Sequence, residues 1–140
     1  MSTLCLLMST DNKYLHSEIT SMILQAFYTV HNNVTFGLTR DVYKRALTIE
    51  CDLLGLKTET DKEIQILYKD KVIGSFVIDL VVNDCVIVRV FADEKLNDQH
   101  DWDSKNQLRL TEYEVCLILN FAEYGEHKRL FFTNDIKKRK

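Results

Sequence analysis

Apolar residues recur every three to four positions in the first third of the chain and every second position in the middle, which orders helices before strands. Leu15, Ile19, Met22, Ile23, Ala26, Phe27 and Val30 form the stripe of an amphipathic helix, which His31-Asn-Asn33 ends. Thr39 is placed to cap a second helix, its buried face carrying Val42, Ala46, Ile49 and Leu53 and its C-terminal stop at Gly55. Arg40 and Tyr43 share one face of that helix. Alternation over Glu63–Tyr68 predicts a strand that turns at Lys69-Asp-Lys71 into a long strand, Val72 to Val82. Asn83-Asp-Cys85 then turns the chain into Val86–Phe91. With three residues in that turn, Asp79 stands opposite Arg89 on the face of Phe91; with two it would stand opposite Val88, so an Asp79–Arg89 ion pair depends on register. A polar stretch, Asp93 to Asn106, precedes a helix whose limits the pattern does not mark. Tyr113–Phe121, apolar on both faces, predicts a central strand, and Arg129–Thr133 an edge strand.

Length and charge narrow the class without naming a function. A chain of 140 residues matches one domain, 1–140, with an adequate core, and the net charge of -3 exerts no global pull on nucleic acid. Residues 136–140, Ile-Lys-Lys-Arg-Lys, form a short basic tail: a solvated terminus in the plain reading, a phosphate contact in the other. The four cysteines, Cys5, Cys51, Cys85 and Cys116, lack metal-site or disulfide spacing and are expected to be reduced and mostly buried. No apolar run reaches the roughly 18 residues of a membrane span, and Leu4–Met8, with no basic segment before it, reads as a short core element rather than a signal. A soluble intracellular protein without membrane contact is expected. Proline is absent and there are only four glycines, so turns must be made by Asn, Asp and Lys.

The chemistry concentrates around Phe36-Gly-Leu-Thr-Arg-Asp-Val-Tyr43. Gly37 and Tyr43, with Arg40 at the acidic position, resemble a G-x-x-E-x-x-Y motif whose acid has become a base. Further matches run from Leu15 to Phe121: Tyr43-Lys-Arg-Ala-Leu47, Tyr68-Lys69, Ile73-Gly74, Asp79, Val86-Ile-Val88 and Leu117-Ile-Leu-Asn-Phe121. The chain therefore resembles the GxxExxY family of the PD-(D/E)XK nuclease superfamily. That resemblance implies an α/β fold: two N-terminal helices, a central mixed sheet of about five strands and one further helix.

The same resemblance implies former active-site positions that are largely rewritten. The helix acid falls on Arg40, the strand acid is kept as Asp79, and the E-x-K acid and lysine fall on Arg89 and Phe91; a glutamine common on the next helix falls on Asp103, and a tyrosine after it on Gln107. A magnesium ion needs several oxygen ligands, which one Asp between two guanidiniums does not supply. No cofactor and no metal are expected, and catalysis is expected to be lost. Asp79 with Arg40 and Arg89 then has two readings, a structural charge cluster or an anion pocket.

Weaker candidates each have an ordinary explanation. His100 reads as a solvated loop residue, and the crowding of Asp98, Asp101 and Asp103 as a polar loop without ordered ligand spacing. Trp102 is either an anchor of that loop or a stacking platform. The leading expectation is a noncatalytic module for protein contact or homo-oligomer formation. Sequence-nonspecific nucleic-acid binding through Arg40, Arg89, Lys137, Lys138, Arg139 and Lys140 is the second. A nuclease with migrated acids, such as Glu94 or Asp103, is the third.

Overall fold

Ile19, Ile23, Ala26, Phe27 and Val30 bury one side of the first helix, α1 (Ser17–Asn33), in a computed structural model that describes residues 16–137. The expectations for Leu4–Met8, Leu15, Cys5 and Lys138–Lys140 lie outside the described residues.

The second helix, α2 (Arg40–Leu53), starts after Thr39 and stops before Gly55, as its punctuation predicts, but a different face is buried. Tyr43, Leu47 and Cys51, at i, i+4 and i+8, turn into the core together with Lys44. Ala46 is half-buried, whereas Val42, Ile49 and Leu53 lie in solvent. Both sets have helical spacing, and only packing against the sheet decides between them. The Thr39 hydroxyl makes no cap bond, so the helix start is held by other means.

The strands follow as β1 (Thr58–Tyr68), β2 (Lys71–Val82) and β3 (Val86–Phe91), an antiparallel meander. Lys69, Asp70, Asn83 and Asp84 have left-handed φ values and make the two turns, as expected of a chain that turns without proline. Helix α3 (Asp98–Arg109) then crosses over to β4 (Val115–Asn120), which runs parallel to β3, and β5 (Glu126–Phe131) returns antiparallel. A single helical turn, α4 (Asn134–Lys137), follows. The sheet order is β1-β2-β3-β4-β5. The fold is the α/β class with a five-stranded mixed sheet expected of a PD-(D/E)XK-like chain.

One core lies between the sheet and helices α1 and α2, formed by Leu80, Val82, Val88, Val90, Leu117 and Leu119 against Phe27, Tyr43 and Leu47. A smaller one lies on the other face, where Ile78, Val81, Ile87, Cys116 and Ile118 meet Leu108 of α3. All six residues of β4 are buried, which explains its apolar character on both faces.

Three expected boundaries move. α3 begins inside the polar stretch expected to precede it, because Asn97 caps it by accepting the Gln99 N–H. β1 begins five residues before Glu63, since a sheet edge tolerates the polar run Thr58–Lys62. β5 lies about three residues before the expected edge strand, its register set by Val115 opposite Phe131.

Candidate functional site

Gly37 leads into the site with φ +93°, a left-handed conformation that glycine adopts without strain, and a Cβ there would meet nothing within 4 Å. Backbone conformation rather than space is what glycine provides. The loop it shapes closes on Tyr43, whose hydroxyl donates to the Thr35 carbonyl at 2.7 Å and accepts the Leu38 N–H at 3.1 Å. The ring stacks on Phe121 of the sheet, 4.6 Å between centroids and within 1° of parallel. Tyr43 thus ties the start of α2 to the sheet and offers no free hydroxyl.

Arg40, the first residue of α2, forks onto Asp79 of β2: Nη2 lies 3.1 Å from Oδ1 and Nη1 3.5 Å from Oδ2. Asp79 is buried, and its Oδ2 also accepts the Val90 N–H from β3 at 3.1 Å. Both carboxylate oxygens are therefore engaged, by a guanidinium and by a backbone amide that a strand neighbour would otherwise satisfy. Half of the Arg40 side chain remains in solvent, so screening keeps the pair below the strength of a fully buried one.

A second pair stands one helical turn further. Lys44, buried along its stem, places Nζ 2.6 Å from Asp61 Oδ1 and 3.9 Å from Asp41. Asp61 has a left-handed φ of 53° and stands across from Asp79, between the pairs Thr60↔Leu80 and Lys62↔Ile78. The Lys44 hydrogen bond and charge hold the Asp61 carboxyl below its ordinary pKa. Helix α2 thus supplies cations at i and i+4 to acids on two adjacent strands. The sequence reading missed Lys44 and Asp61. The helical spacing of Arg40 and Lys44 was a usable signal, but a bulge between Ile66 and Leu67 shifts the β1–β2 register and brings Asp61 across from Asp79.

The β2–β3 turn has the three-residue form, with Val82↔Val86 and Leu80↔Val88 in register, but the ladder ends at that last pair, and Asp79 meets β3 through its side chain, which accepts the Val90 N–H. The expected cluster of two guanidiniums on one carboxylate nonetheless does not form. Arg89 Nη1 donates to Ser104 Oγ of α3 at 3.0 Å, and its guanidinium lies 4.9 Å from the Phe91 ring centroid. Asp79 is drawn to the α2 side of the sheet by Arg40, and Arg89 to the α3 side by Ser104. The positions that the resemblance marks as a site are divided between the two faces.

Around Phe91 the contacts are structural. Its ring meets the edge of His100 at 4.5 Å. The His100 Nδ1 accepts the Asn97 N–H at 2.9 Å, which leaves the proton on Nε2 to donate to Asp93 at 2.8 Å. His100 is thus part of a capping box, a correction to its reading as a solvated loop residue. Asp103 is exposed and accepts from Gln99 at 2.8 Å, while its neighbour Ser104 faces the sheet. Glu94 lies in a separate cleft of about 480 Å³ with Phe36 and Tyr124. Among the described residues no three His, Cys, Asp or Glu side chains are grouped so as to hold a metal ion.

Other cations are matched by acids: Arg45 with Asp41 at 3.0 Å, Lys57 with Asp84 at 3.0 Å, Lys128 with Asp101. Lys137 directs Nζ to the carbonyls of Thr111 and Tyr113, and burial lowers its pKa against the opposing pull of Glu114 and Glu112. Trp102 is exposed on α3 beside Arg109, so it does not anchor a loop to the core. The thiols of Cys51, Cys85 and Cys116 are buried, and burial pushes the Cys51 and Cys116 pKa up to about 12. No helix of the described residues is long and apolar enough to cross a membrane.

Compared with known families, residues 17–130 match the model of the PD-(D/E)XK nuclease superfamily. No curated protein and no solved structure matches the chain.

Proposed function

Because the chain belongs to the PD-(D/E)XK nuclease superfamily, we propose that it is a catalytically degenerate member, akin to the GxxExxY family, that acts as a noncatalytic module for protein or self-association. The observation that carries this reading is the occupancy of Asp79. The one acid kept at a family position already accepts from Arg40 on one side and from Val90 N–H on the other. A magnesium ion would have to displace a guanidinium and then find its remaining ligands among Arg89 and Phe91, neither of which can donate an oxygen. Exposed apolar side chains, Val42, Ile49 and Leu53 on α2 and several on the β1–β2 hairpin, supply surface for protein contact.

Nucleic-acid binding is the weaker reading, since Arg40, Lys44 and Arg45 of α2 spend their charge on acids of the same chain. Phosphate binding draws its energy from cations free to replace counterions. Arg40 is not free in that sense, whereas Arg89 donates to a neutral hydroxyl, Ser104 Oγ, and lies against the Phe91 ring.

The test is cleavage of single- and double-stranded DNA and of RNA with Mg²⁺ or Mn²⁺, run beside Asp79→Ala. No cleavage is expected from either protein. Cleavage by the wild type that vanishes in Asp79→Ala would overturn the proposal.

A further inference from the structure

Cations on the two faces of the sheet are partnered differently. On the α2 face Arg40, Lys44 and Arg45 each meet a carboxylate. On the α3 side three half-buried cations meet neutral oxygens instead. Lys62 of β1 donates to the Tyr113 hydroxyl at 2.8 Å and reaches Glu59 only at 3.8 Å, too long for a hydrogen bond. Arg109, the last residue of α3, donates to the Asn106 side-chain carbonyl at 3.2 Å, and Lys137 of α4 donates to the main-chain carbonyls of Thr111 and Tyr113.

All three cations line one cleft of about 1010 Å³, bounded by β1, the connection from α3 to β4, and α4. The Arg109 guanidinium lies against the rings of Trp102 and Phe132, 5.9 and 5.2 Å from their centroids, which fixes its position without neutralising it. Among the described residues no acid pairs with it, and its Nε has no hydrogen-bond partner. The Tyr113 hydroxyl accepts from an ammonium, so its own proton is left to donate, and among the described residues nothing accepts it. Acids in the cleft are fewer than cations: Asp84 is paired with Lys57 at 3.0 Å, and Glu112 is exposed. Three cations and one unpaired acid leave about two positive charges. Ile64, Leu110 and the Tyr113 ring add an apolar wall.

We propose that this cleft binds a small organic phosphate, a phosphoryl group carried on an apolar or planar body. A lining of donors calls for a ligand rich in acceptors. A phosphomonoester brings about −1.5 to −2 charges at pH 7 and three acceptor oxygens, which matches the surplus of the cleft, whereas a carboxylate brings one charge and two oxygens. The volume is that of a small-molecule site, roughly 300 to 1,000 Å³, so a bare phosphate would leave most of it and the apolar wall unused. The cleft shares no residue with the Arg40–Asp79 pair, so this inference goes beyond the association reading and is tested apart from it.

The test is a ¹H–¹⁵N NMR titration of the full chain with phenyl phosphate, inorganic phosphate and benzoate. Phenyl phosphate is expected to shift the amides of Lys62 and of residues 110–113 and to bind about tenfold or more tighter than either of the other two. Arg109→Gln and Lys62→Gln should each weaken it by about tenfold, and Tyr113→Phe by severalfold. Arg45→Ala, which removes one cation from α2, should leave it unchanged. An amide spectrum altered only around the cleft shows that each variant is folded. No shift with any of the three ligands at millimolar concentration would overturn the proposal. Equal affinity for benzoate would overturn the phosphoryl group, equal affinity for inorganic phosphate the organic body, and an equal loss in Arg45→Ala the site itself. A single-stranded oligonucleotide that displaces phenyl phosphate at lower concentration would overturn it in favour of nucleic acid.

Discussion

The β1–β2 hairpin is two different structures along its length. At its base, Asp61 and Asp79 stand on one row and are tied by Lys44 and Arg40 to helix α2, so charge is used internally and the carboxylates have partners. Toward its tip, Leu67, Tyr68, Val72 and Ile73 are exposed and their strand has an open edge. The base occupies what the family resemblance marks as a catalytic position and spends it on holding helix to sheet. Internal charge pairs at one end and exposed apolar side chains at the other divide the hairpin.

Substitutions should reveal that division by their cost. Asp79→Ala removes an acceptor from the buried Val90 N–H and leaves Arg40 to turn into water, so it should destabilise the domain by about 2 to 3 kcal/mol in urea unfolding. Loss of less than about 0.5 kcal/mol, the range of plain surface changes, would mean that the base is not a clamp. Tyr43→Phe deprives the Leu38 N–H and the Thr35 carbonyl of one partner while keeping the stacked ring, and should cost about 1 to 1.5 kcal/mol.

Acid should act on a different element at the start of α1. Burial lowers the pKa of His16 below the ordinary 6.5, with Arg129 adding to the effect and Glu114 opposing it. The unfolded chain then takes up the proton first as pH falls, so this contribution is intact above about 6.5 and is lost as pH drops from there toward the folded value. Unfolding midpoints measured from about pH 7 down to about pH 5 should fall more gently in His16→Asn than in wild type. Parallel slopes would remove His16 from the account.

The smallest effect belongs to the tip. Ile73→Lys and Val77→Lys each change an exposed side chain and should shift monomer stability by no more than about 0.5 kcal/mol, measured at concentrations too low for association. A large loss there would make the arm part of the core rather than a contact surface.

The order of helices and strands was legible because each carries its own period, and the three-residue turn at Asn83–Cys85 set the β2–β3 register as far as Leu80 opposite Val88. What those two side chains do was not legible. The ladder stops at Leu80↔Val88, and Ile78 and Leu80, two residues apart, pack in opposite cores, so the alternation breaks at Asp79, which turns to Arg40 while Arg89 turns to Ser104. The buried face of α2 was misread for a related reason: Val42, Ile49 and Leu53 look more apolar than Tyr43, Leu47 and Cys51, yet the ring stacking of Tyr43 on Phe121 turns the second set inward. Asp61 escaped because the bulge at Ile66 and Leu67 leaves no mark in composition. The start of α3 was misplaced because the helix buries chiefly Ser104 and Leu108 and its first turns look like the polar stretch before them.

The central claim is that the carboxylate of Asp79 serves the fold through Arg40. A double-mutant cycle of Arg40→Ala and Asp79→Ala, read by urea unfolding at fixed salt, measures that coupling directly. The account expects the two changes together to cost less than their sum by about 1 to 2 kcal/mol. Costs that simply add would contradict it, since they would mean that the guanidinium and the carboxylate do not act on one another.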